Sequence, residues 1–402
     1  MKPLHVLHII GGGDTGGAMS HLLPLLTALG RSGCDVHLLC LGEGGLADAA
    51  RRRGLPVTAL PMKGARDPRV LRPLRRVLAA GPGIVLPNGD AGGGAAAALA
   101  PARWDVVHTH GMRANLPVRL LAPSLRPRPC LFATVHSDLG LDYESAGLAR
   151  AFQSIDRATA RAADRIICVS RSLRELLESR GYPAEKLMTI HSGLESAAGG
   201  ADSQPAATQT ERHPTVGTVA RLVAVKDIDL LLEVAGRLRR THPESEVVIV
   251  GDGPERGRLE ALAADMGLSP AVRFTGRMDD VGPVWAELDV YMATSVFEGG
   301  VSMSVLDAMA NGLPVVTTAA GGVAEVVVDG ETGFVVTREQ ERGALALALA
   351  ERAGSLLDDP QLRIRMGAAG ARRVREHFTI EQTAVQTLRA YERCLAAQRM
   401  FE

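Results

Sequence analysis

The sequence predicts two α/β domains, each built around a doubly wound parallel sheet. Short apolar runs alternate with helical patterns along nearly all of the 402 residues, the order that gives parallel sheets with helical crossovers. Many runs are almost continuous in Val, Ile and Leu, as strands covered by helices on both faces must be. A stretch poor in large apolar side chains, residues 196–214, separates the two series of strands, and at about 150 residues per domain the length fits this division.

The strands follow in order along the chain. The first run carries His5 and His8 and leads into Gly11 without a small-residue cleavage site, so it reads as a strand and not as a signal sequence. The first series is Leu4–Ile10, Asp35–Leu41, Asp105–His108, Leu131–Val135, Arg165–Val169 and Leu187–Ile190. The second series is Thr215–Ala220, Glu246–Val250, Val272–Thr275, Leu288–Ala293 and Leu313–Thr318.

These series set the expected domain boundaries. The first domain covers 1–195, a linker 196–214, the second domain 215–378, and a C-terminal helix 379–402. Helical spacing marks Gln361–His377 and Ile380–Gln398, and a Gly/Ala-rich insertion of unassigned role covers 81–103. Open α/β sheets bind ligands at the carboxyl ends of their strands, which predicts a ligand cleft between the domains.

Composition excludes several classes of protein. Lys+Arg and Asp+Glu number 45 each and aromatics are 3%, which argues against a nucleic-acid partner. Five cysteines without a C-x-x-C pair favour reduced thiols in a cytosolic chain over disulfides or a zinc site. No apolar run approaches the ~20 residues that span a bilayer.

A glycine-rich loop, Gly11 to Gly17, follows the first strand and opens a helix expected over Ala18–Leu29. Such glycines let backbone N–H groups approach a phosphate at a helix N-terminus; a plain strand–helix turn explains them equally well. A dinucleotide enzyme would also need an acid at the end of the second strand, where Glu43 comes late and in a loop. The nicotinamide-dependent oxidoreductase is therefore disfavoured.

Two cations, Arg221 and Lys226, follow the first strand of the second domain. On a loop at the carboxyl end they can neutralise a diphosphate leaving group, although solvated loop charges are the alternative. The only D-x-D of the chain is Asp227 with Asp229. Because Asp227 stands where a helix N-cap belongs, we interpret it as a cap and not as a metal ligand.

The stretch from Phe297 to Pro314 is the most informative. A strand ends, a Gly-rich turn carries Glu298, and a helix begins near Ser302, whose N-terminal N–H groups can bind phosphate. Glu298 can accept hydrogen bonds from sugar hydroxyls, and Asp307 on the same helix can hold a ribose diol or be an ordinary surface carboxylate. Gly300 to Ser304 resembles a nucleophile elbow, but Ser replaces its last glycine and no acid and histidine follow in order, which disfavours a hydrolase.

Taken together, these motifs resemble those of the family-4 retaining glycosyltransferases (glycosyl transferases group 1). The matching segments of the first half are GGDTGG (12–17), DVVHTHG (105–111), TVHS (134–137) and VSR (169–171). Those of the second half are Arg221 with Lys226, GDGP (251–254), FTG (274–276), Glu298, AMANGLPVV (308–316), Gly321-Gly322 and DGETGF (329–334). The resemblance implies the GT-B fold: two Rossmann-like domains facing a cleft, with the sugar nucleotide bound mainly by the second.

The resemblance also implies the roles of single residues. His136 would lie beside the transferred sugar, Arg221 and Lys226 would bind the donor diphosphate, and Glu298 would contact the donor sugar. The implied donor-binding residues are Gly16, Gly17, Gly251, Gly253, Arg277, Ser302, Met303, Ser304 and Asp307. On sequence grounds alone His136 fits a core histidine as well. The implied reaction is a retaining transfer from a UDP- or GDP-sugar that needs neither a cofactor nor a metal.

Two departures from the family pattern motivate a rival interpretation, a non-catalytic sugar-nucleotide-binding protein on the same scaffold. Eight residues separate Glu298 from Asp307, one more than usual, which corresponds to about 100° of helix rotation. The usual Asn-Gly after the strand at Leu187 is His191-Ser192-Gly193.

The segment Arg51–Arg76 is strongly basic, with eight Arg and Lys63 against Asp67 alone, a net charge of +8. It predicts peripheral contact with anionic lipid or a polyprenyl-diphosphate acceptor, with a solvated helix face as the alternative. The expected acceptor is a hydroxyl group of a glycan, a lipid-linked molecule or a small molecule.

Overall fold

A computed structural model describes residues 2–11, 17–62, 67–82, 103–140, 146–195 and 213–400. These residues form two compact units, one of 1–193 with 380–402 and the other of 194–379. Most of the expected insertion and linker lies outside the described residues, as does the loop 12–16. Among the described helices, none combines the length and the apolar character needed to cross a membrane.

The first unit contains a seven-stranded parallel sheet in the order β3-β2-β1-β4-β5-β6-β7. Strands that neighbour each other in space but not in sequence need crossovers, and helices supply them. The strands are β1 (His5–Gly11), β2 (Asp35–Leu41), β3 (Val57–Leu60), β4 (Val106–His110), β5 (Cys130–Val135), β6 (Arg165–Cys168) and β7 (Leu187–Thr189). The strand order reverses at β1 and β4, which pair in parallel with His8 opposite His108.

Seven helices belong to the first unit in the described part of the chain. They are α1 (Gly17–Arg31), α2 (Gly45–Arg52), α3 (Leu71–Ala80), α4 (Met112–Leu121), α5 (Ala146–Ala160), α6 (Arg171–Ser179) and the C-terminal α13 (Ile380–Arg399). The last of these comes back from the far end of the sequence. Ile380, Ala384 and Tyr391 of α13 are buried in the same hydrophobic core as Val6 and Phe132 of the sheet, so α13 is an integral part of this unit.

The second unit contains a six-stranded parallel sheet in the order β10-β9-β8-β11-β12-β13. Its strands are β8 (Thr215–Val219), β9 (Glu246–Val250), β10 (Val272–Gly276), β11 (Val290–Ala293), β12 (Val315–Thr318) and β13 (Gly333–Val336). Its helices are α7 (Ile228–Thr241), α8 (Arg256–Asp265), α9 (Gly282–Glu287), α10 (Met303–Ala310), α11 (Arg342–Asp358) and α12 (Pro360–His377). One apolar core lies under α7 and α11, and another under α10.

The predicted α/β fold with two doubly wound parallel sheets is confirmed, and each strand expected from the sequence is present within about two residues of its predicted ends. Two edge strands were missed. β3 has four residues inside the basic segment, and β13 begins at a glycine within a stretch interpreted only as a motif. Short edge strands carry too few alternating or apolar positions to stand out.

Candidate active site

A pocket lies in the second unit at the carboxyl ends of β8 and β11. These adjacent strands mark the point where the strand order reverses, the place where open α/β sheets bind ligands. The pocket is lined by Thr218, Val219, Ala220, Lys226, Ile228, Tyr291, Ala293, Thr294, Ser295, Glu298, Ser302 and Ser304. It therefore brings together Lys226, Glu298, Ser302 and Ser304 from the predicted set.

Lys226 and Glu298 form an ion pair in this pocket. Lys226 ends a short 3₁₀ helix, Ala224–Lys226, after β8, and Glu298 lies in the turn after β11. Ser295 Oγ donates a second hydrogen bond to Glu298 Oε1 at 2.6 Å. The two side chains are only 22% and 13% exposed, so the pair is partly desolvated and its attraction is stronger than that of a surface pair.

Asp227 corrects one prediction. It occupies the N-cap position of α7, but its side chain makes no capping hydrogen bond, because the residue adopts the left-handed conformation with φ 48°. Its carboxylate instead accepts hydrogen bonds from Arg338 at 2.7 Å and Arg342 at 3.1 Å. The other acid of the D-x-D, Asp229, is ion-paired with Arg258 at 2.7 Å. Arginines thus hold both carboxylates.

Arg338 connects the two loops that carry the ion pair. One of its nitrogens donates to Asp227, next to Lys226, and another donates to the carbonyl oxygen of Thr294 at 3.0 Å. The hydroxyl of Thr294 in turn donates to the carbonyl oxygen of Lys226 at 3.1 Å. These bonds position Lys226 against the end of β11. No motif in the sequence pointed to Arg338, which lies 111 residues from its carboxylate partner.

The N-terminus of α10 opens into the same pocket without a side-chain cap. Ser302 is the N-cap residue, yet its hydroxyl makes no capping bond and lies 3.2 Å from Ser304 Oγ. Ser304 also accepts a hydrogen bond from the buried Tyr291 hydroxyl at 2.9 Å. The N–H groups of the first helical turn, beginning at Met303, have no intrahelical acceptor, the arrangement by which helix N-termini can accommodate anions.

Two glycines allow the loops behind the pocket to touch backbone to backbone. Gly251 has φ 135°, and a Cβ placed there would lie 1.9 Å from the carbonyl oxygen of Ala220. A Cβ at Gly253 would lie 2.2 Å from the carbonyl oxygen of Leu222. Leu222 N–H also donates to the carbonyl oxygen of Asp252 at 2.9 Å. Both predicted glycines thus set the path of the loop that carries Arg221.

Four predicted side chains of this unit lie outside the lining of the pocket: those of Arg221, Arg277, Met303 and Asp307. Arg221 is exposed, and within the described residues no carboxylate pairs with it. Arg277 follows β10 with 66% of its side chain exposed, 4.0 Å from Asp279. Asp307 lies half-buried on α10, and burial raises its pKa to about 6.

The first unit holds the other predicted residues. His136 follows β5 and is half-buried, and burial lowers its pKa to about 4, which keeps the ring neutral at pH 7. Its Nε2 lies 3.2 Å from Nδ1 of His110. Gly17 begins α1, whereas Gly16 lies outside the described residues. The five cysteines, all among the described residues, are buried and form no disulfide, in keeping with the expectation of reduced thiols.

Comparison with solved structures identifies the fold. The crystal structure of Anabaena HepE with UDP and glucose superimposes with a TM-score of 0.75 at 18% identity, over 97% of this chain and 99% of that chain. Sucrose-phosphate synthase from Thermosynechococcus elongatus gives 0.73 at 20% identity, over 98% and 100%. The fold is that of the GT-B glycosyltransferases.

Sequence comparison then gives the family. The family model "Glycosyltransferase Family 4" matches residues 15–197, and "Glycosyl transferases group 1" matches residues 213–359. A GDP-mannose-dependent alpha-(1-6)-phosphatidylinositol monomannoside mannosyltransferase of Mycobacterium tuberculosis is 30% identical over 66% of this chain and 70% of that protein. The chain belongs to the family-4 glycosyltransferases, which confirms the resemblance found in its motifs.

The other relatives match over varying lengths. The mannosyltransferase of the same name from Mycolicibacterium smegmatis is 32% identical, over 52% of this chain and 56% of its own length. The glycogen synthase of Mycobacterium tuberculosis H37Rv is 29% identical, over 74% of this chain and 70% of its own length. The chain thus spans little more than half of the first of these relatives.

Proposed function

We propose that this chain transfers a sugar from a nucleoside-diphosphate sugar to an acceptor hydroxyl, with retention of configuration and without a divalent cation. The observation that carries the proposal is the meeting of the Lys226–Glu298 pair with the uncapped N-terminus of α10 in one pocket. A cation and free N–H groups suit a diphosphate, and a carboxylate suits sugar hydroxyls. The relatives include a GDP-mannose-dependent mannosyltransferase, and the structural neighbours include a complex with UDP and glucose.

The reaction breaks the bond between the anomeric carbon and the diphosphate oxygen and forms a bond from that carbon to the acceptor oxygen. Negative charge grows on the diphosphate, where Lys226, Arg221 and the N–H groups of Met303 and Ser304 stabilise it. The departing phosphate oxygen accepts the acceptor proton. Each charge-assisted hydrogen bond contributes about 1.5–3 kcal/mol.

The D-x-D acids support independence from metal, since Arg258, Arg338 and Arg342 already neutralise them. Retention rests on the family resemblance, with His136 and Glu298 contacting the donor sugar. Both points are open to direct measurement: activity should persist in EDTA, and the first product observed by NMR should keep the anomeric configuration of the donor.

The first experiment identifies the donor by thermal shift with UDP-, GDP- and ADP-sugars. A ligand at 100 times its dissociation constant adds about 2.7 kcal/mol to the free energy of unfolding. We expect one base to stabilise the protein clearly more than the others. Absence of any shift would contradict the proposal, and binding without transfer or hydrolysis would support the non-catalytic rival.

The second experiment separates the two members of the ion pair. Lys226→Ala removes a cation and leaves Glu298 unpaired, so the nucleoside diphosphate should bind at least about tenfold more weakly. Glu298→Gln frees Lys226, so nucleoside diphosphate binding should be kept or strengthened while sugar transfer is lost. Arg221→Ala should behave like Lys226→Ala, and Arg239→Ala on the exposed side of α7 is the matched control. Equal effects of Arg221→Ala and Arg239→Ala would exclude a role for Arg221.

We also propose that α3 contacts an anionic membrane surface. Arg72, Arg75 and Arg76 are exposed on α3, opposite buried Leu74 and Val77. Asp67 pairs with Arg69 and neutralises its charge, so the net positive charge around α3 is smaller than the +8 counted over Arg51–Arg76. Vesicles with 30% anionic lipid should retain the protein at low salt, at roughly 1 kcal/mol per basic residue, and the double variant Arg72→Glu with Arg75→Glu should lose this retention. Binding that persists in the double variant would exclude α3 as the contact.

A further inference from the structure

Five histidines gather around the carboxyl ends of the central strands of the first unit, where its strand order reverses. They come from β1, α1, β4 and the segment after β5, and all but the last are buried. They are His8, His21, His108, His110 and His136. The proposed reaction uses only His136. The other members of this cluster have no role in the proposed reaction so far.

Hydrogen bonds link His136 inward to two of these histidines. His136 Nε2 lies 3.2 Å from His110 Nδ1, and His110 Nε2 lies 3.0 Å from His8 Nδ1. The His110 ring thus uses both nitrogens in the chain. Because the rings stem from adjacent parallel strands and the loop after the next strand, the sheet itself fixes their spacing.

The chain continues through the C-terminal helix. The hydroxyl of Tyr391 on α13 lies 3.4 Å from His8 Nε2 and 2.5 Å from His108 Nδ1. His108 Nε2 lies 2.7 Å from Thr134 Oγ1, where the chain ends. One continuous line of hydrogen bonds therefore runs from Thr134 through Tyr391 to His136.

Burial keeps every member of this line neutral at pH 7. It lowers the pKa of His8 to about 3 and the pKa values of His108 and His110 well below the usual range, with mutual repulsion adding to the effect in the last two. Burial also raises the pKa of Tyr391 well above its usual value. A neutral imidazole has one donor and one acceptor nitrogen, so all hydrogens along the line must point the same way.

Thr134 sets that direction. If its hydroxyl donates to His108 Nε2, every hydrogen from Thr134 to His110 has an acceptor, and the last hydrogen of the line lies on the half-buried ring of His136. In the opposite direction the Thr134 hydroxyl accepts from His108, and its own hydrogen then has no acceptor in the described part of the chain. A buried unsatisfied donor costs about 1–3 kcal/mol. The favoured direction has His110 donating to His136 Nε2, which places the His136 hydrogen on Nδ1.

A metal site is the competing use of His8, His108 and His110, whose ligand atoms lie within 4.8 Å of one another. Two ring pairs are stacked: the His108 and His110 centroids are 4.4 Å apart at 26°, and those of His8 and His110 are 5.3 Å apart at 17°. The His8 and His108 rings are tilted by 37°. Lone pairs of stacked rings lie side by side and do not converge on one ion as tetrahedral coordination requires. The geometry favours the hydrogen-bonded line.

We propose that Tyr391, His108, His8 and His110 are positioning residues that fix His136 as the Nδ1–H tautomer and so present a single N–H donor to an oxygen of the bound sugar. The role of this donor rests on the proposed function, whereas the tautomer itself does not. The C-terminal helix thereby acts on the site through a hydroxyl group as well as through packing.

The test is side-chain NMR of the full chain labelled with ¹⁵N-histidine at pH 7.5. His136, assigned from the spectrum of His136→Gln, should show a protonated Nδ1 and an unprotonated Nε2. Tyr391→Phe keeps the ring packed against Phe132 but breaks the line, so His136 should become a mixture of tautomers. Tyr182→Phe is the matched control, since it removes another buried hydroxyl, bonded to Asp156 at 2.7 Å, away from the line.

Thr134→Val provides a second break at the end of the line should Tyr391→Phe fold poorly, and it should also give mixed tautomers. A single His136 tautomer in both variants, an Nε2–H tautomer in the native chain, or stoichiometric zinc bound by His8, His108 and His110 would overturn the proposal.

Activity separates this proposal from the proposed function. Tyr391→Phe should lower kcat for sugar transfer by about tenfold with little change in nucleoside diphosphate affinity, and Tyr182→Phe should not. If the tautomers behave as expected but no donor is turned over, the hydrogen-bonded line stands and the proposed function fails. Full activity with mixed tautomers would instead exclude the positioning role.

Discussion

Asp307 carries a carboxylate that is costly to keep ionised. It is half-buried on α10, and removal from water raises its pKa from 3.8 to about 6. No described side chain compensates this with a hydrogen bond or an ion pair. A polar group held at such a cost is typical of a binding site, and a ribose diol would supply the two hydrogen-bond donors that the carboxylate needs.

Asp307→Asn should therefore stabilise the free protein and weaken nucleotide binding. In the native chain the folded state holds its proton to higher pH than the unfolded state does, so stability falls as pH rises from about 4 to about 6. The variant lacks this loss. The free energy of unfolding of the variant should equal that of the native chain below pH 4 and exceed it by at most about 3 kcal/mol above pH 6.

Thermal unfolding across pH 4–8, with and without nucleoside diphosphate, measures both effects. Asp279→Asn is the control, because that carboxylate is 99% exposed and should give no gain at any pH. A variant of Asp307 that gains no stability above pH 6 would show that the carboxylate costs nothing in the native fold.

At the scale of elements, the site depends on the close contact between the loops that follow β8 and β9. A Cβ atom added to Gly251 would clash with the carbonyl oxygen of Ala220, which lies 1.9 Å from that position. Because that neighbour is backbone, it can yield only if the loop carrying Arg221 moves. The positive φ of Gly251, 135°, adds strain for any other residue.

Gly251→Ala should thus cost more than about 2 kcal/mol of stability and weaken diphosphate binding through displacement of Arg221. Gly257→Ala is the matched control: this glycine lies in α8 with open space around its Cβ position, and alanine there should stabilise by up to about 1 kcal/mol. Denaturant melts and nucleotide titration of both variants provide the measurement. Similar losses of stability in Gly251→Ala and Gly257→Ala would mean that the loops after β8 and β9 can move apart without cost.

The sequence predicted the elements better than the contacts between them. Continuous Val/Ile/Leu runs made the buried strands visible, and glycines after strands pointed to the loops. The partners of Asp227 could not be foreseen, because Arg338 and Arg342 are more than 100 residues away and exposed arginines have the same sequence signal as paired ones. The hydrogen-bonded line from Thr134 through Tyr391 to His136 could not be predicted for the same reason.

At the scale of the whole molecule, the chain crosses from the first unit to the second and then returns. Residues 380–402 belong to the first unit although 186 residues of the second unit, 194–379, precede them. The sequence predicted the last helix but assigned it to neither domain, because its amphipathic pattern does not say which core it covers. In the structure its buried side chains join the core beneath β1 and β5.

Removal of α13 should therefore destabilise the first unit selectively. Burial of the apolar surface of Ile380 and of Tyr391 each stabilises the first unit by about 1.5–3 kcal/mol. The two tryptophans of the chain report separately, since Trp104 is buried in the first unit and Trp285 in the second. The chain is shortened to end at Thr379 in two backgrounds, each of which keeps one tryptophan. With Trp285→Phe, the unfolding midpoint reported by Trp104 should fall by at least about 5 °C. With Trp104→Phe, the midpoint reported by Trp285 should change by no more than about 2 °C.

A chain ending at Arg399 retains the helix and is the control, with both signals expected unchanged. Early loss of the Trp285 signal would mean that α13 supports the second unit instead, and no change in either signal would mean that it is dispensable for folding. Because Tyr391 also belongs to the hydrogen-bonded line, the shortened chain should lose the single His136 tautomer at temperatures where the first unit is still folded. Removal of α13 should thus lower the stability of the first unit and also release the tautomer of His136. The last helix would then have both a structural and a functional role in the first unit.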